Sequence, residues 1–189
     1  MKPPPLKDDC FAMPPGVDWT PVDEALAMLR SGLHCVTEAE DIAVPDAGGR
    51  ILAADVVAVR SNPPYANSAV DGYGFAFDSL PAGELCMLPL AQGRAAAGAP
   101  FEEVVAVGQA LRILTGARVP DGVDTVVLEE DCSVSDDQIA FRSGLKRGAN
   151  TRAAGEDVAA GAVVLEVEHV LRPQDLALLA AVGLSLIHI

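Results

Sequence analysis

Three stretches of this chain gather side chains able to do chemistry, and each is bracketed by residues that bend or stiffen the backbone. The first runs Ser61-Asn-Pro-Pro-Tyr-Ala-Asn-Ser-Ala-Val-Asp-Gly-Tyr-Gly74. Its two prolines stiffen the approach, and Asn67, Ser68 and Asp71 put two neutral hydrogen-bonding groups and one carboxylate within five residues. A carboxylate held this way can bind a metal ion or activate water. Asn-Ser and Asp-Gly are equally good turn formers, so Asp71 can instead cap its own loop. Gly72 and Gly74 permit close backbone approach or positive φ.

The second stretch is Arg112 to Val127. Thr115 ends an apolar run where Gly116 lets the chain turn, so its hydroxyl can face a ligand beside backbone N–H groups, or simply close the turn. The third is Gly148-Ala-Asn-Thr-Arg-Ala-Ala-Gly-Glu-Asp157. Around it Arg142, Lys146, Arg147 and Arg152 gather four of the 13 basic residues. That suits a phosphate or molybdate-like anion, or a set of surface ion pairs with Glu156, Asp157 and nearby acids. His34 and His169 have no Cys, His or acidic partner at metal-ligand spacing and read as structural. Neither GxGxxG, nor a Walker loop, nor GxSxG occurs.

The elements that must position these groups are modest. Half of the 189 residues are hydrophobic but only 4% are aromatic, so a globular core is built from many small side chains. A net charge of −14 disfavours nucleic acid and anionic membrane surfaces. Cys10, Cys35, Cys86 and Cys132 form no CxxC pair and read as reduced thiols. With no secretory h-region and no apolar run of membrane-spanning length, the expected location is cytoplasmic.

Residues 1–18 read as a loose, proline-rich leader. Thr20-Pro21 opens an amphipathic helix, with Thr20 as N-cap, an apolar face of Val22, Ala25, Leu26 and Leu29, and a stop at Ser31-Gly32. Short β-type runs follow at Arg50–Val59, Leu111–Leu114, Thr125–Leu128, Ile139–Arg142 and Ala162–Val167, with the second and third joined by the turn Val119-Pro-Asp-Gly122. Pro173 opens a last helix, 174–182, ended by Gly183. The last six residues, Leu184-Ser-Leu-Ile-His-Ile189, coincide with the translation of a transposon adapter used in preparing sequencing libraries. They are expected to be an artefact on a truncated translation, so His188 carries no functional argument.

In order along the chain, the three clusters resemble the MoeA-type molybdopterin molybdenumtransferases. Asn67-Ser-Ala-Val-Asp-Gly-Tyr-Gly74 is similar to the family's NSAMDGYA loop, with Val70 for Met and Gly74 for Ala. Ile113-Leu-Thr-Gly-Ala-Arg-Val-Pro-Asp-Gly-Val-Asp-Thr-Val-Val127, followed by Glu129 and Glu130, resembles I-x-TGA-x-P-x-GAD-x-VV. Gly148-Ala-Asn-Thr-Arg152 and Gly155-Glu-Asp157 resemble GxNxR and GED, and the resemblance spans roughly Asp18 to Gly183. The family's TGDEL, SGGxSxG, PGKP and GLPGNP segments are absent from these residues.

The resemblance implies an irregular, multi-lobed, mostly β fold of the MoeA N-terminal type, with an N-terminal and a C-terminal α-helix. It implies residues 1–31 as leader and a helix docking on a catalytic domain outside this chain, with 173–183 leading to that domain. Residues 32–58 with 145–172 are expected to form an elongated linker lobe, and 59–144 a compact β lobe facing the active site. The implied activity is insertion of molybdate into adenylylated molybdopterin with release of AMP, by a homodimer using a divalent cation such as Mg2+. Asp71 and Thr115 match catalytic positions bordering the site. Asn67, Ser68, Gly72, Gly116, Arg152 and Asp157 are the expected substrate contacts, and most metal ligands are expected beyond this chain, which alone is expected to be inactive. The alternative function is a non-catalytic scaffold or dimerisation module built from the same front domains.

Overall fold

The computed structural model describes residues 20–189, so the leader at 1–18 and Cys10 lie outside the described residues. The chain divides into two units, 1–38 and 39–189. The first contributes, among the described residues, the helix α1 (Val22–Gly32). Asp23 and Glu24 in its first turn and Arg30 in its last complement the helix dipole. The N-cap residue is Pro21, in an extended conformation, so the helix starts one residue later than expected. No side chain caps it, because Thr20 falls one position short of reaching the orphan N–H groups. α1 buries none of its residues, and Val22 and Leu29 remain 74% and 56% exposed.

The second unit carries the expected mostly β body and the second helix. Its elements are β1 (Asp41–Ala43), β2 (Val56–Val57), β3 (Asn67–Ser68), β4 (Gly72–Phe75), β5 (Leu85–Ala95) and β6 (Ala110–Ile113). They continue with β7 (Thr125–Leu128), β8 (Cys132–Val134), β9 (Gln138–Arg142), β10 (Thr151–Arg152), β11 (Val163–Leu165), α2 (Pro173–Ala181) and β12 (Leu186–His188). Six strands form one sheet in the order β7-β4-β6-β5-β9-β8, antiparallel except for the β5–β6 pair. β6 and β7 are therefore not neighbours, as the turn between them suggested, because β4 lies between them. Their 11-residue connection folds its own turn, closed by Val123 N–H donating to the Pro120 carbonyl at 3.1 Å.

β4, β6 and β7 are buried on both faces, whereas period-two alternation in β5 and β9 leaves one face to solvent. Tyr73, Phe75, Ala110 and Val127 enter one core with Cys86, Leu88, Ile139 and Phe141, where the Phe75 and Phe141 rings stack 5.2 Å apart. Leu111, Ile113 and Val126 enter the other with Ala95, Val105 and Ala117. A third core joins Val44, Ala47, Leu52 and Val56 to Leu171, Leu179, Ile187 and Ile189. Around it β2 pairs with β11, Ile51 bridges to Val170, and β1 pairs with β12. The run Arg50–Val59 is thus not one strand, since it bends at residues 53–54 and keeps only Val56–Val57. Residues 184–189, read as foreign to the gene product, nonetheless complete the β1–β12 pair and bury Ile187 and Ile189. Alternating apolar residues complete a strand whatever their origin.

α2 opens on Pro173 and is capped by Asp175, whose buried carboxylate accepts the Arg172 backbone N–H at 2.8 Å. The same Asp175 oxygen lies 2.9 Å from His169 Nε2 and accepts from Arg172 Nε at 3.0 Å, bonds that hold its carboxyl well below the usual carboxylate range. Arg60 Nε donates to the Ala181 carbonyl at 3.3 Å at the other end, and Gly183 turns the chain with φ +91°. Among the described residues no helix is long and apolar enough to cross a membrane.

β4 can occupy the middle of the sheet only because its two glycines lack side chains. Neither has positive φ, so close approach is what each position requires. A Cβ at position 72 would lie 1.9 Å from the Val127 carbonyl oxygen, and one at position 74 would lie 2.7 Å from Val123 Cγ1. Gly72→Ala is expected to cost about 2 kcal/mol or more. Gly48→Ala, whose new Cβ meets only Leu176 Cδ1 at 3.8 Å, should change stability by less than about 0.5 kcal/mol. Urea unfolding of the two variants checks this, and equal midpoints would show that the strands are not held so closely.

Candidate functional site

Residues 61–71 act as a shared platform on which all three sequence clusters meet. On one side the platform pairs with the turn after β6. Ser68 N–H donates to the Ala117 carbonyl at 2.9 Å, Gly116 N–H to the Ser68 carbonyl at 2.8 Å, and Val119 N–H to the Ala66 carbonyl at 2.9 Å. On the other side it pairs with the third cluster. Asn62 N–H donates to Val158 at 2.8 Å, Gly155 N–H to Pro63 at 2.8 Å, and Ala69 N–H to Asn150 at 2.9 Å. β3 and β10 place Ser68 opposite Thr151 and Asn67 opposite Arg152. Loop backbone that would otherwise need water is satisfied from both flanks.

Asp71 projects from the end of this platform, exposed, and Thr115 holds it. The Asp71 Oδ1 atom accepts two bonds, from the Thr115 hydroxyl at 2.6 Å and the Thr115 backbone N–H at 2.7 Å. Among the described residues no donor reaches Oδ2, so one carboxylate oxygen is fixed and the other is open to an incoming group. The Thr115 hydroxyl, its backbone N–H and, more weakly, the Arg112 guanidinium hold the carboxyl below its ordinary value. Asp71 is therefore anionic at neutral pH. Gly116 makes this possible with φ +77° inside a turn closed by Ala117 N–H to the Leu114 carbonyl at 2.9 Å.

The sequence reading gave no role to the support behind this pair. Arg112 forks onto Glu129 at 2.9 and 2.8 Å and donates to the Tyr73 hydroxyl at 3.0 Å. Glu129 N–H in turn donates to the Asp71 carbonyl at 3.1 Å, so the network pins the backbone from which Asp71 projects. The signal available was the alternation that puts Tyr73 directly across from Arg112 once β4 is recognised as a strand.

The remaining expected residues divide by exposure. Ser68 is 1% exposed and donates its hydroxyl to the Val70 carbonyl at 2.6 Å, so it shapes the loop from inside. Gly72 is buried in the sheet, and Asn67 is half-buried. Gly116 and Asp157 are exposed and Arg152 is half-buried. Two of the four residues of the basic cluster form ion pairs among the described residues. Arg152 donates to Glu156 at 2.9 Å and to Asp157, and Arg147 pairs with Asp78 and Asp124. Arg152 and Thr151 line an open cleft of about 470 Å³ with Val119, Val123, Asp124 and Glu156. Among the described residues no group of three or more His, Cys, Asp or Glu side chains is placed to hold a metal ion.

A family model described as the MoeA N-terminal region, domains I and II, matches residues 20–183. The molybdopterin molybdenumtransferase of Haemophilus influenzae is 36% identical over 165 residues, covering 87% of this chain and 40% of that protein. Molybdopterin molybdenumtransferase 2 of Mycobacterium tuberculosis is 38% identical over 149 residues, covering 76% of this chain and 36% of that protein. The crystal structure of the molybdopterin biosynthesis MoeA protein from Pyrococcus horikoshii aligns with a TM-score of 0.80 at 33% identity, covering 91% of this chain and 46% of that one. This chain spans about 40% of the length of the curated relatives it matches.

The Asp71–Thr115 geometry sets a titration. Hydrogen bonds to the ionised form depress the carboxyl, so Asp71 keeps its charge until the pH falls below the ordinary carboxylate range. Thr115→Val deletes the hydroxyl donor and retains the backbone donor. The Asp71 titration is expected to move up toward the ordinary value without reaching it, as followed by carbon NMR of the carboxyl. An unchanged midpoint would mean that the hydroxyl bond contributes nothing to the charge.

Proposed function

The chain belongs to the MoeA N-terminal region family, and on that footing we propose that the complete protein joins molybdate to adenylylated molybdopterin, releasing AMP and forming the molybdenum cofactor. The observation that carries this reading is the anionic Asp71 with one oxygen locked by Thr115 and the other open, at the point where the three motif clusters meet. Asp71 Oδ2 accepts a proton from the reacting group, and Thr115 keeps that oxygen aimed. Gly116, Asn67, Arg152 and Asp157 border the substrate, with Ser68 and Gly72 acting through the backbone they hold.

The family resemblance also implies a divalent cation such as Mg2+. Among the described residues Asp71 offers an open carboxylate and no cluster of His, Cys, Asp or Glu joins it, so these residues do not by themselves fit a resident metal. A homodimer in the cytoplasm belongs to the same proposal, as does the division into a linker lobe and a β lobe. The lobes are supported by core membership. The buried residues of one core come from 44–56 and 171–189, and those of the two sheet cores from 73–141, with Leu145 packed against one sheet core from outside that range.

Asp71→Asn in the complete protein tests the chemistry separately from the fold. Asn keeps an oxygen for both Thr115 bonds, so the melting temperature should stay within about two degrees. Cofactor synthesis should drop roughly tenfold or more, because the amide carries no charge and takes up no proton. Near-wild-type synthesis would make Asp71 a turn residue and its assignment to the catalytic site wrong, whereas no synthesis by the unsubstituted complete protein would favour a non-catalytic module. The 189-residue chain alone is expected to give no cofactor above a no-protein control.

A further inference from the structure

Arg118 lies three residues past Thr115, on the same turn, in a chain of net charge −14. Three guanidiniums in the described residues stack on aromatic rings, those of Arg112, Arg118 and Arg147. Arg112 and Arg147 are also neutralised by carboxylates, whereas Arg118 forms no ion pair among the described residues. Its guanidinium sits 4.7 Å from the centroid of the Tyr65 ring, and Tyr65 is itself 56% exposed. Both backbones are anchored, since Arg118 bridges to Asn67 and Val119 N–H donates to Ala66.

We propose that Arg118, presented on the Tyr65 ring, is an oxyanion contact that extends the Asp71–Thr115 site toward the anionic groups of its substrate. The identity of the ligand rests on the reaction proposed above, while the geometry alone speaks for an oxyanion. The ring beneath the guanidinium restrains it, and a guanidinium without a carboxylate partner can offer two parallel N–H bonds to a tetrahedral anion. Glu102, Glu103 and Asp121 share a shallow cleft with Arg118. These carboxylates repel anions generally, so only the two-bond fork, which a halide cannot accept, can favour an oxyanion here. The oxyanion can be a phosphate ester or molybdate, which share this chemistry.

The chain has two tyrosines, Tyr65 exposed and Tyr73 buried, so ring-labelled tyrosine gives a two-signal readout with an internal control. The labelled chain is titrated with AMP, with inorganic pyrophosphate and with molybdate, against sodium chloride at equal ionic strength. A saturable shift of Tyr65 with Tyr73 unmoved is expected, and the titrant that produces it names the source. Arg118→Gln should weaken the apparent affinity roughly tenfold or more, and Arg118→Lys should weaken it less. Arg30→Gln, at an exposed arginine of α1 with no ion pair among the described residues, should leave it unchanged. Absence of a saturable shift with every oxyanion, or its survival in Arg118→Gln, overturns the proposal. Binding at Arg118 by a complete protein that makes no cofactor would instead overturn the reaction and leave the contact standing.

Discussion

Backbone contact between β4 and β7 is the constraint from which the rest of the site follows. Residue 72 is opposite Leu128 and against the Val127 carbonyl, where no side chain fits. Only with the strands this close does Glu129 N–H reach the Asp71 carbonyl, and only then does the Arg112 fork onto Glu129 lie over the Tyr73 hydroxyl. The position of the Asp71 carboxylate is thus set by main-chain packing behind it and by Thr115 in front. A loop carboxylate without that support would spend its conformational freedom in solvent.

What the sequence disclosed and what it hid separate along physical lines. Thr125–Leu128 was legible residue for residue, because a β-branched run bounded by turns has few other conformations. β4 was not, since Gly-Tyr-Gly carries two residues with weak strand preference and gains its place from what it must avoid touching. β5, the longest strand at 11 residues, was hidden by Pro89 and Gly93, and its register slips between Leu90 and Arg94, where a local pattern breaks down. Asp71 and Thr115 were singled out in separate motifs, 44 positions apart, and spacing alone could not bring them together. Arg112 and Glu129 were in view but silent, because their meeting depends on a strand order that no local signal encodes.

The chain's strong negative charge bears on the site through what remains unneutralised. The third cluster looked basic in sequence, yet Arg147 and Arg152 each bind two acids. Such exposed pairs are screened by solvent and contribute little to stability. Their effect is to fasten residues 147–157 in place while removing positive charge that a passing anion would otherwise find. An anion at this surface must therefore displace a carboxylate from Arg152 or go where a cation is left over.

The two-flanked platform has a consequence in time. Asn62 and Val158 are bonded to each other, and 96 positions (158 − 62) separate them along the chain. On a ribosome adding about 5–20 residues per second, residues 61–71 emerge about 5–20 s before their second flank exists. The first flank, at 115–119, arrives roughly halfway through that interval. Until residue 158 is out, the platform keeps one edge of unsatisfied backbone facing solvent. Closing so long a loop is slow relative to local turns and rewards nothing until it is complete. The acid and its hydroxyl partner, held by residues up to 129, can therefore be set before the flank at 150–158 closes on the platform behind them.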